Sequence, residues 1–178
     1  YEDIASYILF EAGNGDFSDE DLDLLLVAAS SVSPDLIRRL VDAGADPHAT
    51  VQYAGTSIQR ALFHGSTACI QALLDLGVPV DGSLWIFGRY LAWHQDDLDI
   101  KSDKLQLLLD YGADINETND RGETAMHVVA ETGNVEAMLL LDAHGADIQA
   151  QSFAGATPLH FAAASGRIET VKALLELG

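Results

Sequence analysis

Gly155-Ala156-Thr157-Pro158-Leu159-His160-Phe161-Ala162-Ala163-Ala164-Ser165-Gly166-Arg167-Ile168-Glu169-Thr170-Val171-Lys172-Ala173-Leu174-Leu175-Glu176-Leu177-Gly178 reads as one complete helical hairpin. Thr157 predicts a helix cap, and Pro158 falls in the first turn, where its missing N–H loses no hydrogen bond. Leu159, Ala162 and Ala163 then share one side of a short helix whose small alanines allow a close neighbour. Gly166 ends it. Ile168, Val171, Leu174 and Leu175 recur at helical spacing in a second helix, closed by a glycine suited to the left-handed conformation.

Working back along the chain, the same order returns one period earlier as Gly122, Thr124, Met126, His127, Val129, Ala130, Gly133, Val135 and Leu140-Leu141. The closing glycines are Gly44, Gly77, Gly112, Gly145 and Gly178, spaced by 33, 35, 33 and 33 residues. A period of that length marks stacked helical units, each with an apolar face that only its neighbours can bury. Between hairpins lies a recurring turn: Gly145-Ala146-Asp147-Ile148, Gly112-Ala113-Asp114-Ile115-Asn116 and Gly44-Ala45-Asp46.

These residues resemble the ankyrin repeat, whose pattern includes a Thr-Pro-Leu-His start, a Leu-Leu pair and a Gly-Ala-Asp close. Thr157-Pro158-Leu159-His160 matches that start in full, and the resemblance runs through nearly the whole chain. It implies an all-α ankyrin-repeat solenoid of stacked helix-turn-helix units with projecting hairpin loops, in which loops and first helices form a concave binding face. It also implies that His127 and His160 hydrogen-bond nearby backbone, and that Asn116 stands where asparagine hydroxylation occurs in the family. A loop asparagine making turn hydrogen bonds is the simpler reading.

We divide the chain as a single array: 1–16 a capping or partial repeat, then 17–49, 50–82, an irregular 83–117, 118–150 and 151–178, the last cut short. Ile4 to Gly13 reads as a second helix, its Leu9-Phe10-Glu11-Ala12-Gly13 echoing Leu174 to Gly178. Ser33-Pro34 opens a clear helix carrying Leu36, Ile37, Leu40 and Val41. In the second repeat Gln59 replaces the family's histidine. The absence of an initial methionine and the closing glycine lead us to expect a segment of a longer array.

The pattern breaks in the third repeat. Leu84 to His94 reads as a longer, aromatic first helix capped by Ser83, followed by an acidic connection from Gln95 to Ser102 before Leu105, Leu108 and Leu109 restore the rhythm. Both tryptophans of the chain, Trp85 and Trp93, fall there with Arg89 and Tyr90, residue types enriched at binding hot spots. Core filling is the competing role for the tryptophans. Loop tips add Tyr53, Asp120, Arg121 and Phe153 as partner contacts, because an aromatic at a tip has little structural reason to be there. Arg60, Phe63, His64, Glu131 and Thr132 are groove-facing by position alone. In the fourth repeat Asp142 stands where the fifth has Leu175, which predicts a local helix rotation that exposes the carboxylate.

Composition narrows the function. Twenty-eight acidic against 9 basic residues give a formal charge of −19, which disfavours nucleic acid and anionic membranes and fits a basic protein or peptide partner. The apolar runs are too short for a membrane span and no leader opens the chain, so an intracellular protein is expected. Cys69 is the only cysteine and sits in an apolar rhythm that predicts packing. We expect no metal site, cofactor or catalytic group: the histidines share no ligand spacing, and Gly13-Asn14-Gly15 lacks the lysine of a phosphate loop. The function read from this is a protein interaction scaffold using the concave face and loop tips. The alternative is a regulatory or substrate-presenting segment of a larger enzyme or receptor that docks intramolecularly. Oligomeric state is not legible.

Overall fold

The computed structural model describes residues 18–52, 55–94 and 97–178. The expected capping segment 1–16 with its Ile4 to Gly13 helix, the loop residue Tyr53, and Gln95-Asp96 lie outside the described residues. The chain divides into two compact units, Tyr1–Pro79 and Val80–Gly178.

In the first unit, α1 (Asp19–Ala29) is capped by Ser18, whose backbone N–H reaches Asp21 while its hydroxyl accepts the Asp21 N–H at 3.3 Å. Asp19, Glu20 and Asp21 fill the first turn, where the helix dipole favours negative charge. Ser33 caps α2 (Pro34–Asp42), with Pro34 in the first turn as expected, and Ile37 and Leu40 point into the core. A small antiparallel hairpin follows, β1 (Thr50–Val51) pairing with β2 (Gly55–Thr56) in the register Thr50 to Thr56. Then come α3 (Ser57–His64) and α4 (Thr67–Asp75). First helix packs on first helix, α1 on α3, and second on second, α2 on α4. Cys69 is fully buried within α4, in the packing role its rhythm predicts.

Gln59 shows how the second repeat manages without histidine. Its side-chain oxygen accepts the Thr56 N–H at 3.3 Å while Thr56 Oγ1 accepts the Gln59 N–H, a reciprocal cap at the start of α3. The phase of the repeat survives because glutamine reaches the same backbone donor.

The second unit holds α5 (Ser83–Trp93), α6 (Leu98–Asp110), α7 (Ala125–Thr132), α8 (Val135–Ala143), α9 (Pro158–Ala164) and α10 (Ile168–Leu177). First helices stack in the order α5, α7, α9, and α8 lies against α10. Turns between hairpins close on glycines: Gly44, Gly77, Gly112 and Gly145 take φ from +85° to +111°, which a side chain would oppose.

Three local expectations need correction. Ser83 is the first residue of α5 and not its cap. The cap position is Gly82 in the left-handed conformation, and the Ser83 hydroxyl is buried without a partner among the described residues. The expected connection up to Ser102 is shorter, because Asp97 caps α6 through the Asp99 N–H at 3.0 Å and Leu98 to Ser102 are already helical. No rotation of α8 is required either. Leu141 and Leu174 are equivalent and both buried, while half-buried Asp142 and exposed Leu175 follow them on the outward side.

Close approach of α5 and α7 depends on Gly88. A Cβ there would lie 2.8 Å from the Ala125 Cα and 2.9 Å from its Cβ, well inside van der Waals contact. The helix accepts glycine's lower propensity so that two backbones can meet.

Candidate functional site

The surface of interest is built from turns and first helices, so its rigidity depends on how neighbouring turns are tied. Asn116 Oδ1 accepts the Asp147 N–H at 2.7 Å, its amide nitrogen reaches the Gly145 carbonyl, and its own N–H is held by Asp114 Oδ1. This is the turn hydrogen bonding that the simpler reading of Asn116 requires. Two tips are linked further out, where the Phe153 N–H donates to the Arg121 carbonyl at 2.9 Å.

Each tip is also closed on itself. Asn119 Oδ1 accepts the N–H groups of Arg121 and Glu123, and Ser152 Oγ accepts that of Ala156 at 3.3 Å. Asp120 and Arg121 stand exposed between these bonds. Phe153 lies against Gly122, yet 79% of it remains exposed. Such a ring offers apolar area that folding does not use.

His127 joins tip to helix in the way the resemblance implies. Its ring is buried, Nδ1 accepts the Thr124 N–H at 3.1 Å, and Nε2 lies 3.0 Å from the Ala156 carbonyl. An acceptor role at Nδ1 leaves the proton on Nε2, which donates to that carbonyl. Phe161 meets the ring edge-on at 5.0 Å. Burial, the leading cause, holds the imidazole below its ordinary pKa of 6.5 despite the pull of the Ala156 carbonyl. His160 repeats the Nδ1 contact with Thr157 at 3.2 Å and is exposed.

The aromatic helix α5 splits its expected contacts between surface and interior. Trp93 is 69% exposed and Arg89 is exposed. Trp85 is half-buried beneath the Arg89 guanidinium, 5.9 Å above its ring, and its Nε1 is buried without an acceptor among the described residues. Tyr90 has no exposed surface: it stacks on Phe87 at 5.1 Å and receives the Lys104 ammonium 4.3 Å from its ring centre. It therefore lies beneath the surface and not on it, unlike the contact position expected for it. Tyr53 lies outside the described residues. Of the groove positions, Arg60, His64 and Glu131 are exposed, and Phe63 and Thr132 half-buried.

The sequence reading missed Glu117. Its carboxylate accepts the N–H of Trp85 at 2.8 Å and of Gly82 at 3.0 Å, capping α5 from more than thirty residues downstream. Burial, helped by nearby Asp81, pushes this carboxyl above its ordinary 4.5 against the pull of those N–H groups. No short-range motif announces such a cap, since donor and acceptor stand at opposite ends of the irregular repeat.

Among the described residues no group of three or more His, Cys, Asp or Glu could hold a metal ion, and no helix is long and apolar enough to cross a membrane. What the fold presents is side chains on stacked turns and helices, the architecture of a repeat protein that meets other proteins. Residues 98–178 match the family model for ankyrin repeats in 3 copies. The chain is 34% identical over 117 residues to the B-cell lymphoma 3 protein homolog of Mus musculus, covering 66% of this chain and 19% of that protein. It is 32% identical over 92 residues to the ankyrin repeat and SOCS box protein 11 of Homo sapiens, covering 51% and 27%. Against the B-cell lymphoma 3 protein of Homo sapiens it is 35% identical over 96 residues, covering 52% and 21%. The matched part thus spans about a fifth to a quarter of the length of these relatives. Taken with the helix pairs and their turns, this places the chain in the ankyrin-repeat family, with an all-α fold. Ankyrin repeats are non-catalytic protein-interaction modules.

Proposed function

We propose that this chain recognises a protein partner of basic character through its loop tips and the exposed side of its first helices. The observation that carries the reading is Phe153, a large ring 79% exposed on a tip held to its neighbour, with Asp120 and Arg121 beside it. Trp93, 69% exposed on α5, is the second aromatic anchor, and Arg89 over Trp85 the third contact. A net charge of −19 would steer a basic partner and disfavour nucleic acid. We take 17–49, 50–82, 83–117, 118–150 and 151–178 as the repeats that share the work, after a segment 1–16. The reading assigns no catalytic residue, metal or cofactor, and places the protein inside the cell.

The test is a partner recovered with the intact protein, its affinity measured against Trp93→Ala and Phe153→Ala. Each substitution should weaken binding about ten-fold or more, as truncation of an aromatic anchor does. Neither should move stability by more than about 0.5 kcal/mol, because both rings are largely solvated. Affinity should fall as salt rises. Binding that ignores both substitutions and ionic strength would refute the proposal.

A further inference from the structure

Within the unit Val80–Gly178 an open cleft of about 400 Å³ is lined by His94, Lys101 and the segment from Thr132 to Glu136 at the start of α8. Lys101 is only 3% exposed, and among the described residues no carboxylate lies within ion-pair distance of its ammonium group. A lysine so enclosed is normally paired, so one whose ammonium meets only the cleft leaves its charge available there. Facing it is the N-terminal end of a nine-residue helix. Asn134 Oδ1 takes the Ala137 N–H at 3.0 Å, whereas the N–H groups of Val135 and Glu136 meet no acceptor among the described residues.

Two unused backbone donors, a helix dipole and an unpaired lysine thus converge on one cleft, and each favours negative charge. In a chain carrying −19 the cleft sets one lysine against one carboxylate, a locally balanced charge in an acidic surround. Glu136 lines the cleft as well, and its exposed carboxylate tempers the attraction without pairing with Lys101.

We propose that this cleft binds one oxyanion group, a carboxylate or a phosphate monoester, presented by a protein ligand. The inference does not rest on the basic-partner reading, since it concerns a single pocket and not the surface charge. Lys101 supplies the charge and the Val135 and Glu136 amides supply direction.

The experiment is a titration of the intact protein, labelled with ¹⁵N, by sodium acetate and separately by inorganic phosphate, with chloride holding ionic strength constant. Saturable shifts of the Val135 and Glu136 amides are expected. A response to acetate alone identifies a carboxylate site, and a response to phosphate alone a phosphate site. Lys101→Met should weaken binding by about ten-fold or more, the worth of one charged hydrogen bond. Without anion it should melt no lower than the parent, because Lys101 makes no ion pair among the described residues that the substitution would break. Glu136→Gln should tighten binding by about two- to five-fold through lost repulsion. The proposal is overturned by amides that do not respond to either anion, by a response that survives Lys101→Met, or by a lowered melting temperature in that variant.

Discussion

Glu117 Oε1 lies 2.8 Å from the Trp85 backbone nitrogen, so the turn that ends the irregular repeat closes the helix that begins it. The second carboxylate oxygen does the same for Gly82. Without this residue the first N–H groups of α5 would have no acceptor from their own sequence, because the cap position is a glycine.

Glu117→Ala should therefore destabilise the unit by about 1–2 kcal/mol, the scale of a lost helix cap. Glu117→Gln should cost less, since its carbonyl oxygen still accepts one bond. The pH dependence has a definite sign. A carboxyl pushed up from 4.5 holds its proton more tightly in the folded chain than in the unfolded one. Its contribution to stability is full below 4.5 and is lost as pH rises through the higher folded value. Thermal melts of the parent and Glu117→Gln from pH 4 upward check this: the glutamine variant should lack that loss.

His127 has the opposite sign. Its folded pKa lies below 6.5, so its stabilising contribution is present above 6.5 and is lost as pH falls through the folded value. Replacing it by alanine removes bonds to Thr124 and Ala156 and the contact with Phe161, and should cost about 2–4 kcal/mol. Gln59 shows that glutamine serves the cap in the second repeat, so His127→Gln should recover part of that loss and all of the pH independence. Denaturant melts at pH 5 and pH 8 would measure both.

Gly88→Ala sets two effects against each other. Helix propensity gains about 1 kcal/mol, while overpacking against the Ala125 backbone costs about 1–3 kcal/mol. Packing should win, because the contact would fall at 2.8 Å on backbone that cannot swing aside. A variant more stable than the parent would show that α5 and α7 can separate without loss.

The periodic part of this fold is legible because its signals are local. Ser33-Pro34, Thr157-Pro158 and the spacing of Leu141 and Leu174 each state a cap or a buried face within a few residues. The irregular repeat resists reading for the opposite reason. Ser83 offered a cap by composition, and the true one came from Glu117 at the far end of the repeat. Lys101 and Lys104 occupy the apolar rhythm of α6 and are buried, although lysine normally argues for a solvated face. The candidate contacts divide likewise. Trp93 and Tyr90 share a helix and an aromatic character and stand only three residues apart, yet one is exposed and the other buried. Only the packing of this helix on its neighbour, whose Lys104 covers Tyr90, decides that, and such packing is a tertiary property.

The hydrogen bond from Phe153 to the Arg121 carbonyl makes two tips one object. A ring and a guanidinium arrive together at a set separation, like teeth on a key, and no search over loop shapes remains when a guest docks. The freedom such loops usually surrender on contact has already been given up during folding, so a ligand spanning both should dissociate slowly and tolerate little change in its own geometry.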